Sequence, residues 1–190
     1  MQTFLPYEDF AESAQALDDR RLGKQRVEAK QIIDIIRKKR QRHNEYIAQA
    51  IWRRVESVEE GTYDAWKKKH PIGWENHPAV LMWEPNTVDA WSDWWLARYG
   101  EAICDEWRRR GHRDTLRHFF RTVTTDPNYS IDKPPWWLGE ERFHETHRAR
   151  LYDKDRVHYE DFAYDRATTC CLTCNYWWPT HKRGGHDGAV

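Results

Sequence analysis

The chain of 190 residues has no run of the ~18 consecutive apolar residues that a membrane-spanning helix needs. It has no GxSxG, GxxxxGK(S/T), GxGxxG or HExxH motif. The common hydrolase, nucleoside-triphosphate, dinucleotide and metalloprotease readings therefore have no anchor. The opening residues, MQTFLPYEDF, lack the basic and long apolar regions of a signal peptide. A protein that stays in the cytoplasm is expected. Cysteine is scarce, and in that compartment Cys104, Cys170, Cys171 and Cys174 are expected to be thiols or metal ligands, not disulfides. There is no net charge, because 31 basic side chains face 31 acidic ones. A typical nucleic-acid binder is strongly basic, but a neutral chain can still gather its cations on one face. Strand-like alternation and internal repeats are also missing. The remaining pattern is helical, so the expected fold is all-α, a compact single-domain helical bundle with long loops.

Aromatic residues are plentiful, with twelve tryptophans and nine tyrosines. They either pack a small helical core or form an aromatic floor on which flat bases stack. The most informative stretch is residues 20–36, RRLGKQRVEAKQIIDII. At helical spacing Leu22, Ala29, Ile33 and Ile36 make an apolar stripe, and Arg26 falls on the same side. A charge on such a stripe is rare unless it is paired or has a function. Arg21, Gln25 and Glu28 make a second stripe beside it. This arrangement can shift the pKa of an acid–base group, although a surface helix with i,i+4 pairs explains Arg21, Lys24 and Glu28 as well. Gly23 inside this helix points to a close approach of another group.

Residues 7–19 read as a preceding helix. The run KKRQRH at 38–43 reads as a solvated basic face or a phosphate contact. Asn44 is expected to cap a separate inserted helix at about 44–60, and 61–70 is expected to be a loop. Pro78 suits the first turn of a helix running to Trp83. Asn86 caps a longer one with Val88, Trp91, Trp95, Tyr99, Ile103 and Trp107 on its apolar face and Gly111 as its stop. Further helices are expected at 114–122 and 142–152. In the last of these His144, His147, Arg148 and Arg150 follow closely, and Arg150 and Lys154 stand four apart. These two repel unless an anion bridges them or Asp153 and Asp155 neutralise them. The expected layout is a helical domain over 1–165 and an irregular tail over 166–190. Within the tail, Cys171, Cys174, His181 and His186 are weak candidates for zinc, and buried thiols are the alternative.

Three segments carry a resemblance: RLGKQRVE at 21–28, GWENHPAVLMW at 73–83 and HETHRARLYDKDRVHY at 144–159. Together with NYWWP at 175–179 they resemble a bacterial branch of the pyrimidine-dimer DNA glycosylase family, whose founding member is the phage endonuclease V. The resemblance implies a small all-α enzyme that binds double-stranded DNA, flips a nucleotide and cuts its glycosidic bond. It implies an attacking α-amine at the N-terminus, here Met1, and an Arg-Glu pair, here Arg26 and Glu28. That pair is separated by Val27, whereas the family's pair is adjacent. It further implies a functional His77 in the loop before the tryptophan-rich helix, and phosphate contacts from Arg150 and Lys154. Arg21, Lys24, Gln25, His147 and Arg148 are further candidates for DNA contact, and Lys24 is a candidate substitute amine where the chain departs from the family. No cofactor, no membrane contact and a monomer are expected.

The resulting functional expectation is an N-glycosylase that leaves an abasic site. Its substrate would be a bulky damaged or modified pyrimidine. A hypermodified phage base such as glucosylated hydroxymethylcytosine, excised in antiviral defence, is one form. UV-dimer repair with lyase activity is a second. A non-catalytic DNA-binding module and a zinc-stabilised interaction protein are the alternatives from other classes.

Overall fold

The computed structural model describes residues 2–52, 60–84, 92–127, 134–168 and 177–179. The fold is all-α. Among the described residues there are eight helices: α1 Phe10–Ala16, α2 Asp19–Trp52, α3 Glu60–Lys69, α4 Pro78–Leu81, α5 Ser92–Arg109, α6 Arg117–Thr124, α7 Glu141–Lys154 and α8 Ala163–Thr168. A 3-10 turn, Glu160–Phe162, leads into α8. No described helix is long and apolar enough to cross a membrane.

The central helix α2 is twice as long as its sequence signals indicate. Leu22, Ala29, Ile33 and Ile36 do face the core, joined by Ile32 and Ile35. Each fully buried isoleucine or leucine stabilises the fold by roughly 1.5–3 kcal/mol relative to its exposed state. The helix then runs unbroken through the basic run and past Asn44, which sits inside it and caps nothing. Lysine and arginine are good helix formers, and here they have acidic partners. Arg42 grips Glu75 with both terminal nitrogens, Lys39 meets Glu84, and Arg40 reaches Asp93 at 3.3 Å. The basic run is a rail on which the segment 70–84 and the start of α5 are docked.

Residues 60–69 form α3, not the expected loop. Trp66 and Tyr63 lie against Tyr46 of α2, with ring centroids 6.0 and 5.0 Å apart. This tertiary contact outweighs the weak local helix signal. The longer aromatic helix is α5. Its Tyr99 and Ile103 are fully buried, whereas Trp95 and Trp107 are only partly covered. Val88 and Trp91 and the cap at Asn86 lie outside the described residues. Gly111, with φ 87°, closes the turn after α5.

α5 packs on α1, α2 and α6, while α7 packs on the 3-10 turn and α8. Trp83 and Trp137 form a buried edge-to-face pair at 4.8 Å, and Trp137 continues to Phe143 of α7 at 4.7 Å. Some of the tryptophans therefore build the core. Trp52, Trp74 and Trp136 stand largely exposed.

Candidate active site

The N-terminal segment lies across α2 and is held by one side chain. Gln25, essentially fully buried, donates from Nε2 to the Gln2 carbonyl at 2.9 Å and to Glu28 Oε2 at 3.1 Å. Its Oε1 accepts from the Phe4 backbone N–H at 2.8 Å and lies 3.2 Å from the Tyr99 oxygen. Both N–H donors of the primary amide and one lone pair of its oxygen are therefore used. The single O–H of Tyr99 goes to the Phe4 carbonyl. Burial raises its pKa well above the ordinary value, and the Glu28 charge pushes the same way. Thus Gln25 registers the start of the chain against the Glu28 carboxylate.

Glu28 itself is 7% exposed. Lys24 Nζ stands 3.6 Å from its Oε1 and is largely in solvent. The end of α7 supplies further cations. Arg21 donates to the Lys154 carbonyl at 3.0 Å while pairing with Asp18 at 2.9 Å, which ties the start of α2 to the end of α7. Lys154 Nζ lies over the Phe4 ring, 5.7 Å from its centroid. Its pKa is lowered, first by burial and then by Arg21, Lys24 and Arg150, against the opposing charge of Glu28. One carboxylate therefore sits amid a basic patch made by two helices. Arg150 is also bonded to Asp153 at 3.4 Å, as the neutralisation reading of that pair expects.

α7 holds the next part of the N-terminal segment. His147 is fully buried, and its Nδ1 accepts the Leu5 N–H at 2.8 Å. His144 Nδ1 and Nε2 face the carbonyl oxygens of Leu5 and Leu138 at 2.8 and 2.9 Å. Arg148 donates to the Pro6 carbonyl at 2.8 Å and pairs with Asp165 at 2.9 Å. Burial lowers the His147 pKa to about 3, with His144 adding to the effect. The expected DNA contacts of His147 and Arg148 do not match these placements: both side chains are spent on holding residues 5 and 6.

Arg26 is a second correction. It stands two residues, about 200°, round the helix from Glu28 and turns to the opposite side. It pairs with Asp114 and lies 4.4 Å over the Trp107 ring. Asp114 also accepts the N–H groups of Leu116 and Arg117 at 3.2 and 2.7 Å before α6. Despite its burial, those backbone bonds and Arg26 keep its carboxyl below the usual range. Arg26 therefore braces the α5–α6 corner and does not form an Arg-Glu pair. The group close to Gly23 is Trp107 too, because an added Cβ would stand 3.1 Å from its ring.

His77 caps α4, its Nδ1 accepting from the Ala79 N–H at 3.1 Å. Burial lowers its pKa, consistent with a neutral acceptor. Beyond the end of that single-turn helix, Trp83 Nε1 donates to Thr3 Oγ1 at 3.0 Å. Met1, Cys171, Cys174, His181 and His186 lie outside the described residues. Among the described residues no cluster of three or more His, Cys, Asp or Glu side chains could hold a metal. A cleft of about 950 Å³ opens between α1, α5 and the start of α7, and Glu28 does not line it.

Sequence reasoning missed Tyr99 and His144 as supports of the N-terminal segment. Their roles need partners 95 and 139 residues away, which no local pattern encodes.

The family model described as pyrimidine dimer DNA glycosylase matches residues 1–119. That span includes the N-terminal segment, Gln25, Glu28, His77 and Tyr99, and the chain belongs to this family. No curated protein and no solved structure matches it.

Proposed function

We propose that this protein is a DNA N-glycosylase acting on a bulky pyrimidine in double-stranded DNA, with Glu28 as its catalytic carboxylate. The observation that carries the reading is the Gln25 bridge, which sets a nearly buried carboxylate beside the N-terminal segment. Cleaving a glycosidic bond builds positive charge on the sugar. A fixed carboxylate in a site of low dielectric stabilises that charge. Lys24 and Lys154 hold the flanking phosphates, and Arg21 positions Lys154 for this. The nucleophile at C1′ is the terminal amine, which is joined to the Gln2 held by Gln25. It displaces the base at C1′ and gives up a proton as the base leaves; the sugar ring then opens, the C1′–O4′ bond breaking with a proton going to O4′, and an imine at C1′ results.

Family membership favours a pyrimidine dimer as substrate. A hypermodified cytosine such as glucosylated hydroxymethylcytosine, removed in defence against phage, is the rival that the same experiment separates. Duplexes carrying a dimer, uracil or the glucosylated base are incubated with protein, cleaved at abasic sites with alkali and read as fragments. Excision from one of them that is abolished by Glu28→Gln supports the reading; turnover of none sinks it. Borohydride added during turnover traps an imine, and an active enzyme that yields no adduct uses water instead.

A further inference from the structure

Trp74 combines two costs on one residue. It is 66% exposed, and it is the described non-glycine residue with positive φ, 66°. Indole in water and a left-handed backbone are both unfavourable, and such strain persists only where the surroundings impose it. Here they do. Arg42 donates to the His70 carbonyl at 2.8 Å and to Glu75 Oε1 at 3.1 Å, and Lys39 donates to the Glu75 carbonyl at 3.1 Å. The Ile72 N–H bonds the Glu75 carboxylate at 3.4 Å, and the His77 N–H bonds the Trp74 carbonyl at 3.0 Å. The loop is pinned on both sides of Trp74, and the ring projects outward with the edge of His77 as a neighbour at 5.6 Å.

The pinned loop and the carboxylate share a ridge. Lys39 follows Glu28 by eleven residues, so the two lie within about 20° of each other on α2 and roughly 16 Å apart along it. That distance spans about five base-pair steps at ~3.4 Å each. His77 opens α4, and Trp83 beyond that one-turn helix bonds Thr3, next to the Gln2 that Gln25 holds. The projecting indole therefore falls within one duplex footprint of Glu28.

We infer that Trp74 is an aromatic wedge that stacks into the duplex within the same footprint, about five base pairs from the extruded nucleotide. The inference rests on the proposed base excision. A rigid ring held out on a fixed backbone can insert between base steps and kink the duplex, which eases extrusion of a nucleotide within the same footprint. Its entropy cost is small because the loop is already ordered.

The test uses full-length protein and a duplex with 2-aminopurine about five base pairs from a thymine dimer, and a second duplex with 2-aminopurine about five base pairs from glucosylated hydroxymethylcytosine. Binding of wild type brightens 2-aminopurine as the stack opens. Asparagine tolerates the left-handed region, so Trp74→Asn keeps its melting temperature or raises it. This variant loses the brightening and excises about tenfold to a hundredfold more slowly, the scale of one lost base–aromatic stack. Trp74→Phe retains most of both signals. Equal brightening and excision by Trp74→Asn overturns the wedge and leaves the glycosylase standing. A wild type that neither excises nor brightens either duplex overturns both.

Discussion

Glu28 and Gln2 are joined through a single side chain: one N–H of the Gln25 amide goes to the Glu28 carboxylate and the other to the Gln2 carbonyl. This bridge, not an arginine–glutamate pair, couples the carboxylate to the start of the chain. The following expectations come from it and from its supports.

Glu28→Gln keeps the size of the side chain and removes its charge. Excision should fall by at least about a hundredfold, the usual scale for loss of one electrostatic stabiliser. Binding to the same duplex should hold within a few-fold. Single-turnover kinetics with parallel anisotropy titrations measure both. A binding loss as large as the rate loss would mean that Glu28 acts on affinity.

Gln25→Leu removes three hydrogen bonds and leaves buried partners, including the Phe4 N–H, without them. Each unsatisfied group costs ~1–3 kcal/mol, so a stability loss of about 3 kcal/mol or more is expected in urea unfolding. An unaffected midpoint would show that the N-terminal segment is not held as described.

Arg26 and Asp114 test the corrected pairing. Removing one partner of a buried ion pair costs about 3–5 kcal/mol. Arg26→Ala should therefore lower stability by about that amount. Under folding conditions its excision rate should stay within a few-fold of wild type. A folded Arg26→Ala protein with lost activity would return Arg26 to the catalytic group.

His147 gives a pH signature. Its folded pKa, about 3, lies below the ordinary value of 6.5, so the unfolded chain binds the proton more readily. Its stabilising effect is fully present above about pH 6.5 and is lost as pH falls towards 3. The slope is about 1.4 kcal/mol per pH unit for one proton. Between pH 6.5 and 5, before most carboxylates titrate, stability should drop on acidification. The slope should be shallower in His147→Gln; what remains then comes from His77, lowered the same way by burial. A His147→Gln profile parallel to wild type would refute the assignment.

Lys154 tests the basic patch. If it contacts a phosphate, Lys154→Ala should reduce the salt dependence of DNA binding by about one counterion. An unchanged slope would place the DNA elsewhere.

Much of this was legible in the residues alone. Helical periodicity marks the all-α fold, and the stripe of Leu22, Ala29, Ile33 and Ile36 marks the core face of α2, because a helix must bury its apolar side whatever it packs against. The family resemblance agrees with the family model that matches residues 1–119, and Gln25 and Glu28 stand out by falling on one stripe. Partners distant in sequence decided the rest. Arg26 reads as a site residue until Asp114, 88 positions later, accounts for its charge. His147 and Arg148 read as phosphate contacts until residues 5 and 6 fold beneath α7 and use their polar atoms. Helix spacing is local and can be read along a chain, whereas the partner of a buried charge or imidazole is chosen by three-dimensional packing.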